Sequence, residues 1–575
     1  MSESNAKIDQ CLDKLFDFSS NFKVSIESIQ KLAQHLRFET FIDKHAYTVN
    51  PNQLYQQLKP QRLSIAGSLI LVDIDFTSDN KIINLSLSLA NQDMSIADGH
   101  GNDTNRRISQ REDIKVINID LNENNEMSIL KKNADEEQSM AESILFSSLQ
   151  GTRLGKFPNN LRYLALLDRL STADVNLFSF INKVGLILKT VQSLEGINED
   201  IWEIKEGLCN SVGNIISNDK EGNRIGLFIE FWKDSRFVAH EMKTQDNNST
   251  MRRNYGALIG VDSHVGSPIN YLQENKTDVW KLQSPHDELT KYQFDYESNE
   301  EHLNTSSDKD TLNSWIITLN LSSPVFIPNI VLEYHNVEFK LNEDHENDRS
   351  EATGYFSTLN SGSDLKYPVN IKESKLEINI TTQLVSQFVP VRQVSLKTIH
   401  DIKNLLSLFR NFLVFENLIK SVAAVSFDDR DNDNKDQRSD IMLDELSSEM
   451  KKKLKETLKL SNNVTDEELL ALNVITDTKT NMMPSLDSFM NDDTDETTSD
   501  NQLVISLDEV NLESENNDII ISISGIIAAK LKISNGQISK VVSSEDEMEV
   551  ESASEKFIKG LSLTEDIPAT LSYIL

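Results

Sequence analysis

The sequence predicts an α+β protein with helical and β units in separate runs, and three observations carry that prediction. Apolar residues change between helical and alternating spacing along the chain, turn signals separate the runs, and long acidic stretches interrupt them. The 575 residues carry 57 Lys and Arg against 91 Asp and Glu, a net charge of −34. The apolar share of 38% lies below the about 45–50% usual for globular chains, so folded units should alternate with solvated, disordered insertions. Such a charge disfavours a primary grip on nucleic acid or an anionic membrane, because both need local positive potential. Cys11 and Cys209 cannot build a disulfide framework and should stay reduced. The first residues hold no apolar run, so no signal peptide is expected. The longest apolar stretch, Ile519–Ala529, is too short to span a bilayer and reads as buried strand. Cytoplasm or nucleus is the expected compartment.

Residues 1–60 read as an N-terminal helical unit. Ile8, Leu12, Leu15 and Phe16 share one helical face, Ser25 is the N-cap of a second helix, and Asn50-Pro51 closes the unit. Residues 61–240 read as an α+β core. Ile70, Val72, Ile74 and Phe76 alternate, a polar turn follows, and Ile83, Leu85, Leu87 and Leu89 alternate again, which predicts a hairpin. Ile114–Leu121 predicts a further strand. Met140–Leu149 and Leu161–Leu170 predict a helical hairpin, Leu177–Leu194 and Ile201–Ile216 more helix, and Arg224–Lys233 a strand. Residues 241–312 read as an acidic, largely disordered insertion. Residues 313–425 predict two strands around Pro324 and Pro328, another over 375–389, and a long helix, Lys397–Val425. Residues 426–500 form an acidic linker with one amphipathic helix, Ile441–Leu460. Residues 501–575 predict a β-rich unit with a terminal helix-like segment, Phe557–Leu575.

No catalytic constellation emerges, so no enzyme and no cofactor is expected. There is no Gly-x-Gly-x-x-Gly, no phosphate-binding loop with its Gly-Lys-Ser/Thr ending, and no Gly-x-Ser-x-Gly elbow. The ten histidines are scattered, with no pair at helical metal spacing. Asp73 and Asp75 put two carboxylates on one strand face, which could hold a divalent cation or simply meet solvent. Asp429, Asp431, Asp433 and Asp440 have the spacing of a calcium loop, but Asn434 stands where that loop turns on glycine. The helix over 441–460 ends in the lysines 451–453 and 455, which suits its dipole, and carries a stripe of Leu443, Leu446, Met450, Leu454 and Leu458. That stripe is a candidate partner-binding face. Ser499, Ser543 and Ser544 lie beside acidic clusters and are candidate phosphorylation sites.

Four segments together carry a family resemblance. They are the helix Val24–Leu36 running on to Phe41; the strands Ser68–Phe76 and Ile82–Ala90; Ile144–Leu149 followed by Phe157-Pro-Asn-Asn-Leu-Arg-Tyr-Leu-Ala-Leu-Leu-Asp-Arg-Leu-Ser171; and the helix at 397–422 with Leu561–Leu571. The combination resembles the fungal form of subunit 1 of Mediator, the RNA polymerase II coactivator complex. The third segment, ending Leu-Leu-Asp-x-Leu-Ser, is the most specific. Metazoan relatives carry Leu-x-x-Leu-Leu receptor boxes; Ile402-Lys-Asn-Leu405-Leu406 is only a degenerate version, expected to be core. The resemblance implies a non-enzymatic, nuclear subunit of the middle module. It implies contact with other middle-module subunits, with activators and repressors, and indirectly with RNA polymerase II; the net charge adds the expectation of no direct nucleic-acid or membrane partner. Two rivals stand beside it: an unrelated acidic scaffold subunit, and a metal-dependent enzyme using Asp73 and Asp75.

Overall fold

The computed structural model describes residues 18–43, 61–89, 114–118, 138–195, 212–233, 254–264, 280–283, 289–295, 314–341, 351–428, 502–541 and 553–575, a few single positions excepted, with Phe16, Ile129 and Leu130. The first helix, α1 (Ile26–His35), starts where expected: the Ser25 hydroxyl accepts the Ser28 N–H at 3.1 Å. Four strands follow, β1 (Glu39–Asp43), β2 (Gln61–Ala66), β3 (Ile70–Phe76) and β4 (Ile82–Leu89), paired antiparallel in that order. The predicted hairpin is β3–β4. Strand β1 corrects the purely helical reading of residues 1–60; it is short, and only Phe41 and Ile42 in it are apolar. Leu63, Ile65, Val72, Ile74 and Leu85 bury one face of the sheet. On that face Thr40 takes hydrogen bonds from Gln30 and Gln34 of α1.

Strand β5 (Ile114–Asn118) follows, then three helices: α2 (Met140–Ser148), α3 (Phe157–Leu170) and α4 (Leu177–Leu194). A capping box of Ser139 and Glu142 starts α2, and Glu142 also accepts the Leu87 N–H of β4 at 2.8 Å. The helix expected over Ile201–Ile216 is corrected at its end. Asn214–Ile216 belongs to β6 (Asn214–Asp219), and residues 201–211 lie outside the described ones.

The next elements are β7 (Arg224–Lys233), β8 (Asn254–His264), β9 (Trp280–Gln283), β10 (Leu289–Asp295), β11 (Ser314–Pro328), α5 (Asn329–Tyr334), β12 (Phe339–Leu341), α6 (Glu351–Asn360), β13 (Leu365–Ile371), β14 (Ser374–Thr382) and β15 (Phe388–Leu396). A six-stranded antiparallel sheet runs β12-β15-β11-β8-β7-β6. Its strand β8 lies inside the stretch 241–312 that composition assigned to a largely disordered insertion, as do β9 and β10, of which β10 pairs with both β9 and β5. The average polarity of that stretch hides a half-buried strand. The two strands expected over 315–341 are β11, which runs through Pro324 and ends at Pro328, and the short β12; Pro324 sits at a register irregularity between Asn320 and Val325, where a missing N–H costs least.

The chain closes with α7 (Asp401–Asp428), β16 (Gln502–Asn511), β17 (Asp518–Gly525), β18 (Ala529–Ser534), β19 (Gln537–Lys540), α8 (Ala553–Thr564) and α9 (Ile567–Ile574). The last segment, expected as one helix, is two. Glu565 takes a left-handed φ of 51° between them, and the Asp566 side chain caps α9. A second six-stranded sheet runs β13-β14-β16-β17-β18-β19, antiparallel except where β14 and β16 run parallel, Glu377–Thr382 against Gln502–Leu507. Helix α7 meets β7 and β11 of one large sheet and β13, β17 and β18 of the other. It is buried on nearly every side between Ile402 and Ala423, as an all-round apolar helix must be. The fold is α+β, as predicted.

Candidate functional site

Two helices, α3 and α7, use buried polar side chains to join distant strands. On α3, Leu161 and Leu164 set a buried stripe, and Asp168 falls on the same stripe. Its carboxylate accepts three backbone N–H groups of the β2–β3 turn: Ser68 at 2.8 Å, Leu69 at 2.6 Å and Ile70 at 3.1 Å. These donors sit where the sheet ladder leaves them, so a charged acceptor satisfies them strongly. Gly67 is required beside it, because a Cβ there would overlap the Asp168 carboxylate.

The first turn of α3 does the same for the other side. Asn160 accepts the Ile225 N–H and donates to the Asn223 carbonyl, both at 2.9 Å, which pins the β6–β7 turn. Tyr163 donates its hydroxyl to the Ile259 carbonyl of β8 at 3.1 Å. Burial pushes the Tyr163 pKa well above its ordinary value, with a backbone hydrogen bond at Leu227 opposing, so it stays a neutral donor. One helix therefore locks the four-stranded sheet to a six-stranded one. These residues all belong to the segment that most specifically carries the family resemblance.

Helix α7 is the second joint. Arg410, with no exposed surface, donates from Nε to the Phe231 carbonyl of β7 at 2.8 Å and from Nη1 to Asn535 of the β18–β19 turn at 2.7 Å. Asn411 donates to the Asn516 and Asn517 carbonyls and accepts the Gly536 N–H, each at 2.8 Å. Gly536 packs so closely on Trp232 and Arg410 that a Cβ would clash. Further along, Asn417 donates to Glu565 and Ser421 accepts the Ile567 N–H, which holds the α8–α9 turn. Ile402, Leu405 and Leu406 are all buried in this helix, so the degenerate receptor box is core as expected.

The carboxylate pair of β3 is occupied by the protein itself. Arg62, directly across on β2, grips Asp75 with Nε at 2.8 Å and Nη2 at 3.2 Å. Asp73 accepts the Ser64 hydroxyl at 2.6 Å, with Arg62 Nη1 at 3.7 Å. Of the two readings of the pair, a cation site or the solvent face, the second does not describe Asp75, which is 1% exposed and paired with the Arg62 guanidinium. Among the described residues no group of three or more His, Cys, Asp and Glu could hold a metal. The Asp73 and Asp75 oxygens that a cation would take are those that Arg62 and Ser64 hold. The stripe Leu443, Leu446, Met450, Leu454 and Leu458, the candidate serines Ser499, Ser543 and Ser544, and Asp429 to Asp440 lie outside the described residues.

With this geometry in hand, comparison with known families is decisive: residues 9–424 match the family model of Mediator of RNA polymerase II transcription subunit 1. The chain belongs to that family. It is thus a Mediator subunit acting in transcription regulation with RNA polymerase II. No curated protein matches the chain. The match ends within α7, yet in this Mediator subunit α7 is stitched to β17–β19, α8 and α9, and β14 pairs with β16. The residues beyond the match complete the same body.

Proposed function

We propose that this Mediator subunit, of the fungal form, works in the middle module of the complex in the nucleus. There it bridges activators or repressors and the polymerase machinery by protein–protein contact, with no reaction of its own. The observation that supports this reading is the use made of the family-resembling polar side chains. Asp168, Asn160 and Tyr163 spend their hydrogen bonds on backbone groups of other elements and present no reactive group. A body whose polar residues serve assembly contributes surfaces. The amphipathic stripe from Leu443 to Leu458 supplies one such contact, on a segment set between α7 and β16. Tagged purification from nuclear extract, with co-purifying proteins identified by mass spectrometry, tests the reading. Middle-module subunits at near-equal stoichiometry support it; recovery of another assembly, or of the chain alone, overturns it.

A further inference from the structure

Ile129 lies between β5 and α2 in the chain, and both of its backbone groups are held by buried side chains of other elements. A strand or helix would satisfy them by its own ladder. The Ile129 N–H donates to Asn182 Oδ1 of α4 at 2.9 Å, and its carbonyl accepts from Asn218 Nδ2 of β6 at 2.8 Å. Asn182 is 9% exposed, Asn218 6% and Ile129 itself 1%. Leu130, next in the chain, is half-buried against the core.

The body sets this clamp, and the segment it holds does not. The β6–β7 register breaks between Ser217 and Asp219, and Asn218 sits in the break with a left-handed φ of 61°, a conformation that asparagine tolerates. Its Oδ1 accepts the Gly226 N–H at 3.1 Å. An N–H only donates and a carbonyl only accepts, so that bond fixes the amide with Nδ2 toward Ile129. Asn182 is carried by α4, which is buried along Leu177, Ile181, Val184 and Leu188. Between Leu121 and Met140, in contrast, the large apolar residues are Met127, Ile129 and Leu130, set among asparagines, acids and lysines. A stretch of that composition builds no core of its own. Main-chain hydrogen bonds for affinity and a pocketed side chain for selectivity are the two parts of extended-peptide recognition.

We propose that Asn182 and Asn218 form a peptide-binding site for one extended aliphatic residue, and that Ile129 is its tethered occupant, a ligand joined to its receptor by the chain on either side. The two amides read only backbone, so selection rests on the aliphatic side chain. Tethering gives Ile129 an effective concentration on the order of millimolar, which keeps a free peptide out while the chain is intact. Cutting the tether turns the same contact into an exchangeable one. The site thus fastens the stretch before α2 to α4 and β6, and does so reversibly.

The test uses the full-length chain with protease sites inserted after Leu121 and after Glu136, cut after folding. A labelled synthetic peptide of residues 122–136 is the probe, followed by fluorescence anisotropy, with the melting midpoint measured alongside. The cut chain should take up the peptide saturably and melt near the uncut midpoint, and the uncut chain should bind at least about tenfold more weakly. Two altered peptides read the two halves of the contact. Ile129→Asp removes the aliphatic group, and N-methylation of Ile129 removes the N–H given to Asn182. Each should bind at least about tenfold more weakly than the unaltered peptide. Asn218→Asp in the cut chain keeps an oxygen for Gly226 and sets another against the Ile129 carbonyl, with the same loss expected. No uptake by a folded cut chain, or equal uptake of either altered peptide, overturns the proposal. Loss of the folded state on cutting also overturns it, since the segment would then be part of the core. Uptake by the uncut chain as strong as by the cut one places the peptide elsewhere and overturns it as well.

Discussion

Replacing Asp168 tests the α3 joint at its strongest point. Asp168→Ala deletes a buried carboxylate that accepts three N–H groups, at 2.6 to 3.1 Å, from a turn about a hundred positions earlier in the chain. Hydrogen bonds to a charged acceptor contribute about 1.5–3 kcal/mol each, but three on one carboxylate are not additive. Breaking a buried charged network typically costs about 3–5 kcal/mol, and that is the loss expected here. Asp168→Asn keeps one oxygen for Leu69 and Ile70 but turns an NH2 toward the Ser68 N–H, so about 2 kcal/mol should be lost. Denaturant titration followed by circular dichroism gives the totals. Hydrogen exchange at Ser68, Leu69 and Ile70 shows whether the opening is local. Gly67→Ala supplies the cycle: alone it should cost about 1–3 kcal/mol through overlap with the carboxylate, and most of that should vanish in the Asp168→Ala background. An Asp168→Ala protein within about 0.5 kcal/mol of wild type, or purely additive Gly67 and Asp168 effects, would refute the reasoning.

Three other outcomes follow from the same geometry. Calorimetry with Mn²⁺ or Ca²⁺ should show no binding that depends on Asp73 or Asp75. Asp75→Asn should instead destabilise by about 2–3 kcal/mol and Asp73→Asn by under about 1 kcal/mol, since only Asp75 is buried against Arg62. Burial raises the Tyr163 pKa and pushes that of Tyr367 up to about 12. Both are neutral in the fold, so their contribution is intact below the unfolded tyrosine pKa of about 10 and is lost as pH rises through the folded values. Denaturation midpoints between about pH 8 and 12 should fall in that window, with a shallower fall in Tyr163→Phe. Leu446→Asp with Leu454→Asp should weaken one subunit contact at an unchanged melting temperature; a large stability loss would make the stripe core.

Short-range physics was legible in the residues. Alternation gave β3 and β4, Ser25 gave the start of α1, and the apolar run after Lys397 gave α7. Two strands set by partners distant in the chain were not legible. Glu39–Asp43 gains its place from β2 across an intervening stretch, and Asn254–His264 from β7 and β11 on either side. The parallel pairing of β14 with β16 is likewise decided by tertiary partners. The joints were half legible. A carboxylate on the stripe of Leu161 and Leu164 signals that Asp168 needs buried donors, but nothing local names the Ser68–Ile70 turn. Asp73 and Asp75 misled because the strand pattern shows where a carboxylate points and not that Arg62 faces it.

The central claim is that residues 502–575 are part of one body with residues 18–428, through α7 and the β14–β16 pair. A protease site placed within 441–460 of the full-length chain, cut after folding, tests it most directly. The account predicts that the two pieces co-elute in size-exclusion chromatography and melt together at nearly the uncut temperature. Separation of the pieces into independently folded species would contradict it.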